Sequence, residues 1–187
     1  MKKEFELIWK LAEPYLKEGK RKNFILHTGQ VLKAMEMLLK KEAGASCVLI
    51  PAAILHDTGW SKVPIKLQKS QDKKDKIEAL KLHIEYAPEI IQKILRKLKY
   101  SEKDIKAITD IVVAHKFQKP KRQDKRMLID ADTLAEAFKE QFYDDVRAYG
   151  GSSEEGYNYR IKNKFYTKTA AAIFKKEMTQ RKKEIFK

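Results

Sequence analysis

The residues best suited to chemistry in this chain are four histidines and one adjacent aspartate. His56 and Asp57 stand together in the segment AAILHDTGW, and the other histidines are His27, His83 and His115. Neighbouring residues within a helix point about 100° apart, so His56 and Asp57 share a target only where a helix ends. Gly59 predicts such an end, where both side chains can reach one ion. The Asp57 carboxylate can bridge two cations, and imidazole supplies a neutral nitrogen ligand.

Each histidine taken alone has another interpretation. His27 and His115 lie on apolar stripes, a position that is also typical of a hydrogen-bonded histidine in a protein core. His56 closes an apolar helix and would serve as its cap, while His83 would be a surface residue beside Glu85. The prediction of a site therefore depends on how the four are arranged.

The order of these residues resembles the HD superfamily of metal-dependent phosphohydrolases. A histidine (in FILHTGQV) stands about 29 residues before the His–Asp dipeptide (in LHDTG), and an aspartate follows in IDADTL. Two more histidines, in LHIEYAP and VVAHK, fall where binuclear members carry extra ligands. The resemblance covers residues 22 to about 140. It implies two metal sites that share the catalytic Asp57, one completed by His27, His56 and Asp132 and the other by His83 and His115.

Within this superfamily the spacing is similar to that of the bacterial enzymes that split dinucleoside tetraphosphates symmetrically. Cyclic-dinucleotide phosphodiesterases carry HDIGK, whereas this chain has HDTGW, and Lys116 replaces the second histidine of their histidine pair. The resemblance implies hydrolysis of a phosphoester or phosphoanhydride bond in a nucleotide-like substrate by metal-activated water. Two alternatives remain at this stage. One is a di-iron oxygenase of the HD fold, and the other is a regulatory module that binds metal and nucleotide without turnover.

The predicted cofactors are two divalent or mixed-valence metal ions. A nitrogen and oxygen ligand set without thiolate favours iron or manganese, and cobalt and nickel are also compatible with it. A Lys-rich loop follows each half of the site, and the lysines closest to the ligands are Lys62 and Lys116. We expect these two to bind substrate phosphate, although both loops are also typical of solvated surface. Asp130 is expected to cap its helix or to support the ligands.

The net charge of +15, from 41 basic and 26 acidic residues, favours an anionic partner. We predict a phosphorylated small-molecule substrate, a nucleotide above all. The sequence contains no helix-turn-helix, zinc-finger or RNA-binding signature, which argues against nucleic acid as the primary partner. No apolar run approaches the ~18 residues of a membrane-spanning helix, so we expect a cytoplasmic protein without a membrane partner. The single cysteine, Cys47, stands in the apolar run SCVLIPAAIL and is predicted to be buried.

The elements that must position these residues are predicted to be helices. With 7 glycines and 5 prolines, the chain has too few turn residues for many short strands. We predict an all-α fold, a single HD-domain helical bundle of about six or seven helices, in which Ser46 and Ser101 cap helices and residues 61–76 form a loop. The predicted organisation is an N-terminal helix packed on the core (1–21), an HD phosphohydrolase domain (22–148) and a C-terminal helical extension (149–187).

Overall fold

The computed structural model describes residues 3–20 and 22–186, which form an all-α structure with no strand in those ranges. The predicted domain boundary after Arg21 and the outermost residues of both predicted terminal segments lie outside the described residues. The helices are α1 (Lys3–Glu18), α2 (Phe24–Leu39), α3 (Ser46–Leu55), a 3-10 helix (Thr58–Lys62), α4 (Ile65–Lys69), α5 (Lys73–Lys97), α6 (Glu102–Val113), α7 (Gln123–Ala135), α8 (Lys139–Tyr149), α9 (Ser153–Arg160) and α10 (Lys168–Ile185).

The predicted number of helices, six or seven, was too low, since the described residues contain ten α-helices. Part of the difference lies in residues 61–76, where the prediction of a continuous loop was wrong. The 3-10 helix ends in this stretch, at Lys62, α4 lies within it, and α5 begins in it, at Lys73. Asp72 caps α5 by accepting hydrogen bonds from the backbone N–H groups of Lys74 and Asp75. The 3-10 helix and α4 have five residues each, which is too few to show a helical period.

The rest of the difference between the predicted and observed numbers of helices lies after residue 138, where the chain forms three helices. Gly150 ends α8 with a φ of +69°, a left-handed conformation that glycine adopts without strain. Ser152 and Glu155 then form a reciprocal capping box at the start of α9. Residues 150–152 therefore form a single tight reversal between two helices.

The centre of the core is α3. Every residue of this helix from Leu49 to Leu55 is buried, and α1, α2, α6 and α7 pack around it. A helix that is apolar on all sides must be covered on all sides. The chain that leaves it at residues 56 and 57 therefore lies in the interior of the protein.

Two predictions about the start of α3 were wrong. Ser46 is the first residue of the helix and not its cap; the cap position is Ala45, which makes no side-chain hydrogen bond. Cys47 is exposed, because the first turn of α3 extends beyond the helices that cover the rest of it. By contrast, Ser101 does cap α6, since its Oγ accepts the Asp104 backbone N–H at 3.1 Å.

The remaining helices carry the other predicted ligands towards the end of α3. α5 runs through Pro88 without interruption and packs on the 3-10 helix and on α6, while α2 packs on α7. Among the described residues, no helix has both the length and the apolar character needed to cross a membrane.

Candidate metal centre

Asp57 lies at the junction between α3 and the 3-10 helix. Its backbone, with φ −103° and ψ 5°, turns the chain out of α3. The Thr58 hydroxyl donates to the Leu55 carbonyl oxygen at 2.8 Å and fixes this turn. His56 and Asp57 are only 0% and 3% exposed. The dipeptide therefore ends a buried helix, as the sequence predicts, and both side chains point into a site walled by protein.

One oxygen of Asp57 faces two histidines. Oδ2 lies 3.2 Å from His56 Nε2 and 3.5 Å from His27 Nε2, which α2 supplies. These three buried side chains form a group whose donor atoms could hold one metal ion. Asp132, from α7, completes the same group, with Oδ1 3.0 Å from His27 Nε2 and 3.9 Å from His56 Nε2. Four side chains from two helices, α2 and α7, and from the end of α3 thus converge.

The other oxygen of Asp57 faces a second pair of histidines. Oδ1 lies 3.8 Å from His83 Nε2, on α5, and 4.0 Å from His115 Nε2, just beyond α6. The Nε2 atoms of His83 and His115 are 3.4 Å apart. These three residues form a second buried group that could hold an ion, so Asp57 belongs to both groups.

Backbone carbonyl oxygens fix the orientation of two of the rings. His56 Nδ1 donates to the Ala53 carbonyl oxygen at 2.8 Å, and His115 Nδ1 donates to that of Val112 at 2.5 Å. Because a carbonyl oxygen only accepts, the proton of each neutral ring is on Nδ1 and the lone pair is on Nε2. His56 Nε2 has no hydrogen-bond donor among its described neighbours. A buried lone pair directed at two carboxylates is the arrangement expected of a metal ligand.

The separations between donor atoms agree with this interpretation. Two ligands that lie about 2.1 Å from one ion and at right angles to each other are about 3.0 Å apart. The separations given above for the two groups run from 3.0 to 4.0 Å. Ions would therefore fit between these side chains after small adjustments.

The protonation states of three histidines also suit metal binding. Burial lowers the pKa of His27 and of His83 to about 4. Burial and the charge of Lys116 hold the pKa of His115 well below its usual value. These rings are therefore neutral near pH 7, which is the form that binds metal.

The carboxylates are ionised in spite of their burial. Burial alone would raise the pKa of Asp57, but His56 and His27 hold it well below the usual range. Lys116 and His27 do the same for Asp132. The pKa of His56 is raised, because the two carboxylates outweigh the effect of burial. Carboxylates that favour a positive charge on His56 also favour a metal cation beside it.

Trp60 and Gly59 support the ligands, a role that the motif does not reveal. The Trp60 ring stacks on His83 with centroids 4.6 Å apart, and its Nε1 donates to Asp57 Oδ1 at 3.2 Å. A Cβ atom on Gly59 would lie 1.9 Å from the His83 carbonyl oxygen, so only glycine lets the 3-10 helix approach α5 this closely. The contacts of Trp60 and Gly59 with His83 join residues that lie more than twenty positions apart in the chain, whereas the Trp60–Asp57 hydrogen bond is local.

The two predicted substrate-binding lysines occupy different environments. The Lys116 ammonium forms a salt bridge with Asp132 Oδ2, and its side chain is 28% exposed. Lys116 therefore reaches from the surface to a candidate ligand. Lys62 is exposed at the end of the 3-10 helix. The structure brings Lys116 to the site and leaves Lys62 in solvent.

Asp130 neither caps its own helix nor contacts a candidate ligand in the described contacts. Its carboxylate accepts hydrogen bonds from the Tyr166 and Thr167 backbone N–H groups, each at 2.8 Å, and from the Thr167 hydroxyl at 2.7 Å. Asp130 thus binds the segment that begins α10 to the helix that carries Asp132. The sequence-based expectation for Asp130 was wrong, because its partners are distant in the chain.

Comparison with known proteins identifies a family to which the sequence is similar. The family model of the HD domain matches residues 24–142, a segment that contains all six candidate ligands. No curated protein matches the sequence. Among solved structures, the crystal structure of a predicted HD superfamily hydrolase from an uncultured Thermotogales bacterium is similar to it, with a TM-score of 0.63 and 17% sequence identity over 96% of this chain and 87% of that chain. At this identity the likeness shows that the two chains share a fold.

Proposed function

The chain belongs to the HD domain family, and from this we propose that it is a metal-dependent phosphohydrolase that cleaves a phosphoester or phosphoanhydride bond in a nucleotide-like substrate. The observation that carries the proposal is the position of Asp57, whose two oxygens face two separate pairs of buried histidines. Two metal ions bound there would activate a water molecule near neutral pH and neutralise charge on a phosphoryl group. Iron or manganese suits the nitrogen and oxygen donors best.

In this proposal each ligand is held in place before the substrate arrives. His27, His56, Asp57 and Asp132 would hold one ion, and Asp57, His83 and His115 the other. The carbonyl oxygens of Ala53 and Val112 keep two of the rings turned towards the ions. Ligands that are oriented in advance need little rearrangement during the reaction.

The surroundings of the site exclude water from the ligands. All four histidines are at most 3% exposed, and Trp60 covers His83 on one face. In such a dry site, electrostatic stabilisation of a phosphoryl group is stronger than in water.

Lys116 is the cation best placed to assist. Its ammonium contacts Asp132 while part of the side chain reaches solvent, so a phosphoryl oxygen bound beside Asp132 would come within its range. Lys62 is exposed and would act only by attracting an anionic substrate over a longer distance.

The test is hydrolysis of a panel of mononucleotides, dinucleoside polyphosphates and cyclic nucleotides by protein loaded with manganese or iron. We expect release of phosphate or nucleotide from at least one substrate, and we expect Asp57→Ala to abolish it. The metal content of each sample is measured in parallel. No product from any substrate, with two ions demonstrably bound, would contradict the proposal. Oxygen consumption by the iron form alone would indicate an oxygenase instead.

A further inference from the structure

A cleft of about 660 Å³ lies beside the candidate metal centre. Four parts of the chain line it: residues 20 and 22 before α2, the stretch from α4 into α5, Glu136 at the end of α7, and the facing sides of α8 and α9 with the reversal between them. This volume is within the range of sites that hold small-molecule ligands. The wall formed by residues 145–160 lies beyond the segment that matches the family model, so the family match does not account for it.

Glu136 and Lys22 connect the cleft to the metal centre. Glu136 lines the cleft and lies four residues after Asp132, hence one turn further along the same face of α7. The charge of Lys22, another lining residue, acts on His27 and Asp57 and also on Glu136. The cleft therefore begins about one helical turn from Asp132.

Gln68 holds the wall of the cleft against the metal-binding segment. Its Nε2 donates to the carbonyl oxygens of Trp60, at 3.0 Å, and Val63, at 2.8 Å. Its Oε1 accepts the Lys20 backbone N–H at 2.7 Å. Gln68 is only 6% exposed, so its bonds to the Trp60 and Val63 carbonyl oxygens are shielded from solvent.

The cleft has an excess of positive charge. In the described part of the chain, no salt bridge joins its four lysines to a carboxylate; these are Lys20, Lys22, Lys69 and Lys76. The acidic side chains that line the cleft are engaged or partly neutralised. Asp145 pairs with Arg160 at 2.6 Å, and Glu155 caps α9. Burial raises the pKa of Glu136, so this carboxyl group carries less negative charge than one at the surface.

Two tyrosines at the cleft are unusually exposed. Tyr149, at the end of α8, is 57% exposed, and Tyr159, near the end of α9, is 71% exposed; both line the cleft. An aromatic ring in this position offers a flat face on which a planar group can stack. Lysines and exposed aromatic rings in one cleft are suited to a ligand that combines phosphate with a planar ring.

We propose that this cleft binds the non-reacting part of the substrate, a phosphate-bearing group the size of a nucleoside diphosphate. Its phosphates would contact Lys69 and Lys76, and its base would stack on Tyr159. The substrate would then carry at least two phosphate groups, one at the metal centre and another in the cleft. The role of the cleft in turnover rests on the proposed function, whereas binding of the ligand does not.

The test is calorimetric titration of the metal-loaded full chain with ADP. Two lysine–phosphate contacts are involved, so we expect Lys69→Ala/Lys76→Ala to weaken ADP binding about tenfold or more. The matched control is Lys66→Ala/Lys81→Ala, which removes the same charge from exposed positions on the same two helices outside the cleft. We expect the control to bind ADP within about twofold of the wild type.

Equal affinities of the two double variants would overturn the proposal, since ADP would then sense only overall charge. Loss of ADP binding in Asp57→Ala, with no change in Lys69→Ala/Lys76→Ala, would also overturn it by placing ADP on the metal centre alone.

Tyr159→Ala should weaken ADP binding about fivefold or more and leave pyrophosphate binding unchanged. An unchanged ADP affinity in this variant would overturn the assignment of the base to Tyr159. If no nucleotide is hydrolysed but ADP binding depends on the cleft lysines, the proposed function fails and the cleft site stands.

Discussion

Trp60 lies nearly parallel to His83, with ring centroids 4.6 Å apart and an angle of 8° between the planes. The same indole donates its N–H to Asp57 Oδ1 at 3.2 Å. One side chain therefore orients two members of the second ligand group. Partners of this kind influence metal affinity almost as strongly as the ligands themselves.

We expect Trp60→Phe to weaken binding of the second ion about 10–100-fold while the first ion is retained, because phenylalanine keeps a ring on His83 but has no donor for Asp57. The measurement is metal content after dialysis against a weak chelator. Phe24→Leu is the control, since Phe24 stacks on Trp60 and lies outside the candidate ligand set. If both variants lose the same amount of metal, general loosening of the core explains the effect and the hydrogen bond does not.

Gly59→Ala should displace α5 from the 3-10 helix. The new Cβ would lie 1.9 Å from the His83 carbonyl oxygen and 3.0 Å from the Ala87 backbone nitrogen, and neither backbone atom can move alone. We expect a loss of about 1–3 kcal/mol in the free energy of unfolding, measured in urea, and loss of the second ion.

Gly29→Ala is the matched control for this variant. The nearest atom to its new Cβ is in Trp9, 3.9 Å away, and the residue lies inside α2. Alanine is favoured over glycine within a helix by about 0.5–1 kcal/mol, so this variant should be as stable as the wild type or more so. Wild-type stability and metal content in Gly59→Ala would contradict the close approach described here.

The position of Asp57 between the two ligand groups predicts an unequal effect of ligand removal. Asp57→Ala should release both ions, because each group loses its shared carboxylate. His83→Ala should lose mainly the second ion, since His83 belongs to one group only. Elemental analysis of the purified variants measures both effects. Full metal content in Asp57→Ala would show that this carboxylate does not bind metal.

The order of the histidines and aspartates in the sequence was sufficient to predict an all-α HD fold and to select six side chains that the structure brings together. Helix caps were also predicted correctly where the two partners are close in sequence, as with Ser101 and Asp104 at the start of α6. The supporting contacts could not be predicted in this way. Nothing in the sequence around Gly59 indicates its close approach to α5. The sequence around Asp130 likewise does not indicate its hydrogen bond with Thr167, which lies 37 residues further along the chain.

Asp130→Ala should destabilise the protein without changing its metal content. It would leave the Tyr166 and Thr167 backbone N–H groups without their acceptor, and each unsatisfied buried donor costs about 1–3 kcal/mol. Urea unfolding measures the loss. Asp124→Ala on the same helix removes a surface pair with Arg122 and a hydrogen bond from the Lys125 backbone N–H, and should cost less than about 1 kcal/mol. A release of metal by Asp130→Ala would instead assign Asp130 to the metal centre.

Lys116 provides a test that separates metal binding from catalysis. Its ammonium contacts Asp132, and its positive charge helps to lower the pKa of His115. Removing that charge by Lys116→Ala should leave metal affinity unchanged or raise it, because one cation near the proposed metal ions is lost. Hydrolysis should still fall about 100-fold, because the phosphoryl group loses a positive charge beside it.

Lys119→Ala removes the same charge from an exposed position on the same loop, and it should leave the metal affinity and the rate of hydrolysis unchanged. A structural role for Lys116 would lower metal content and activity together, whereas a substrate contact lowers activity alone. Lys116→Arg should restore part of the activity if charge is what matters. If Lys116→Ala retains both full metal content and the full rate, the proposed contact between Lys116 and the phosphoryl group is wrong.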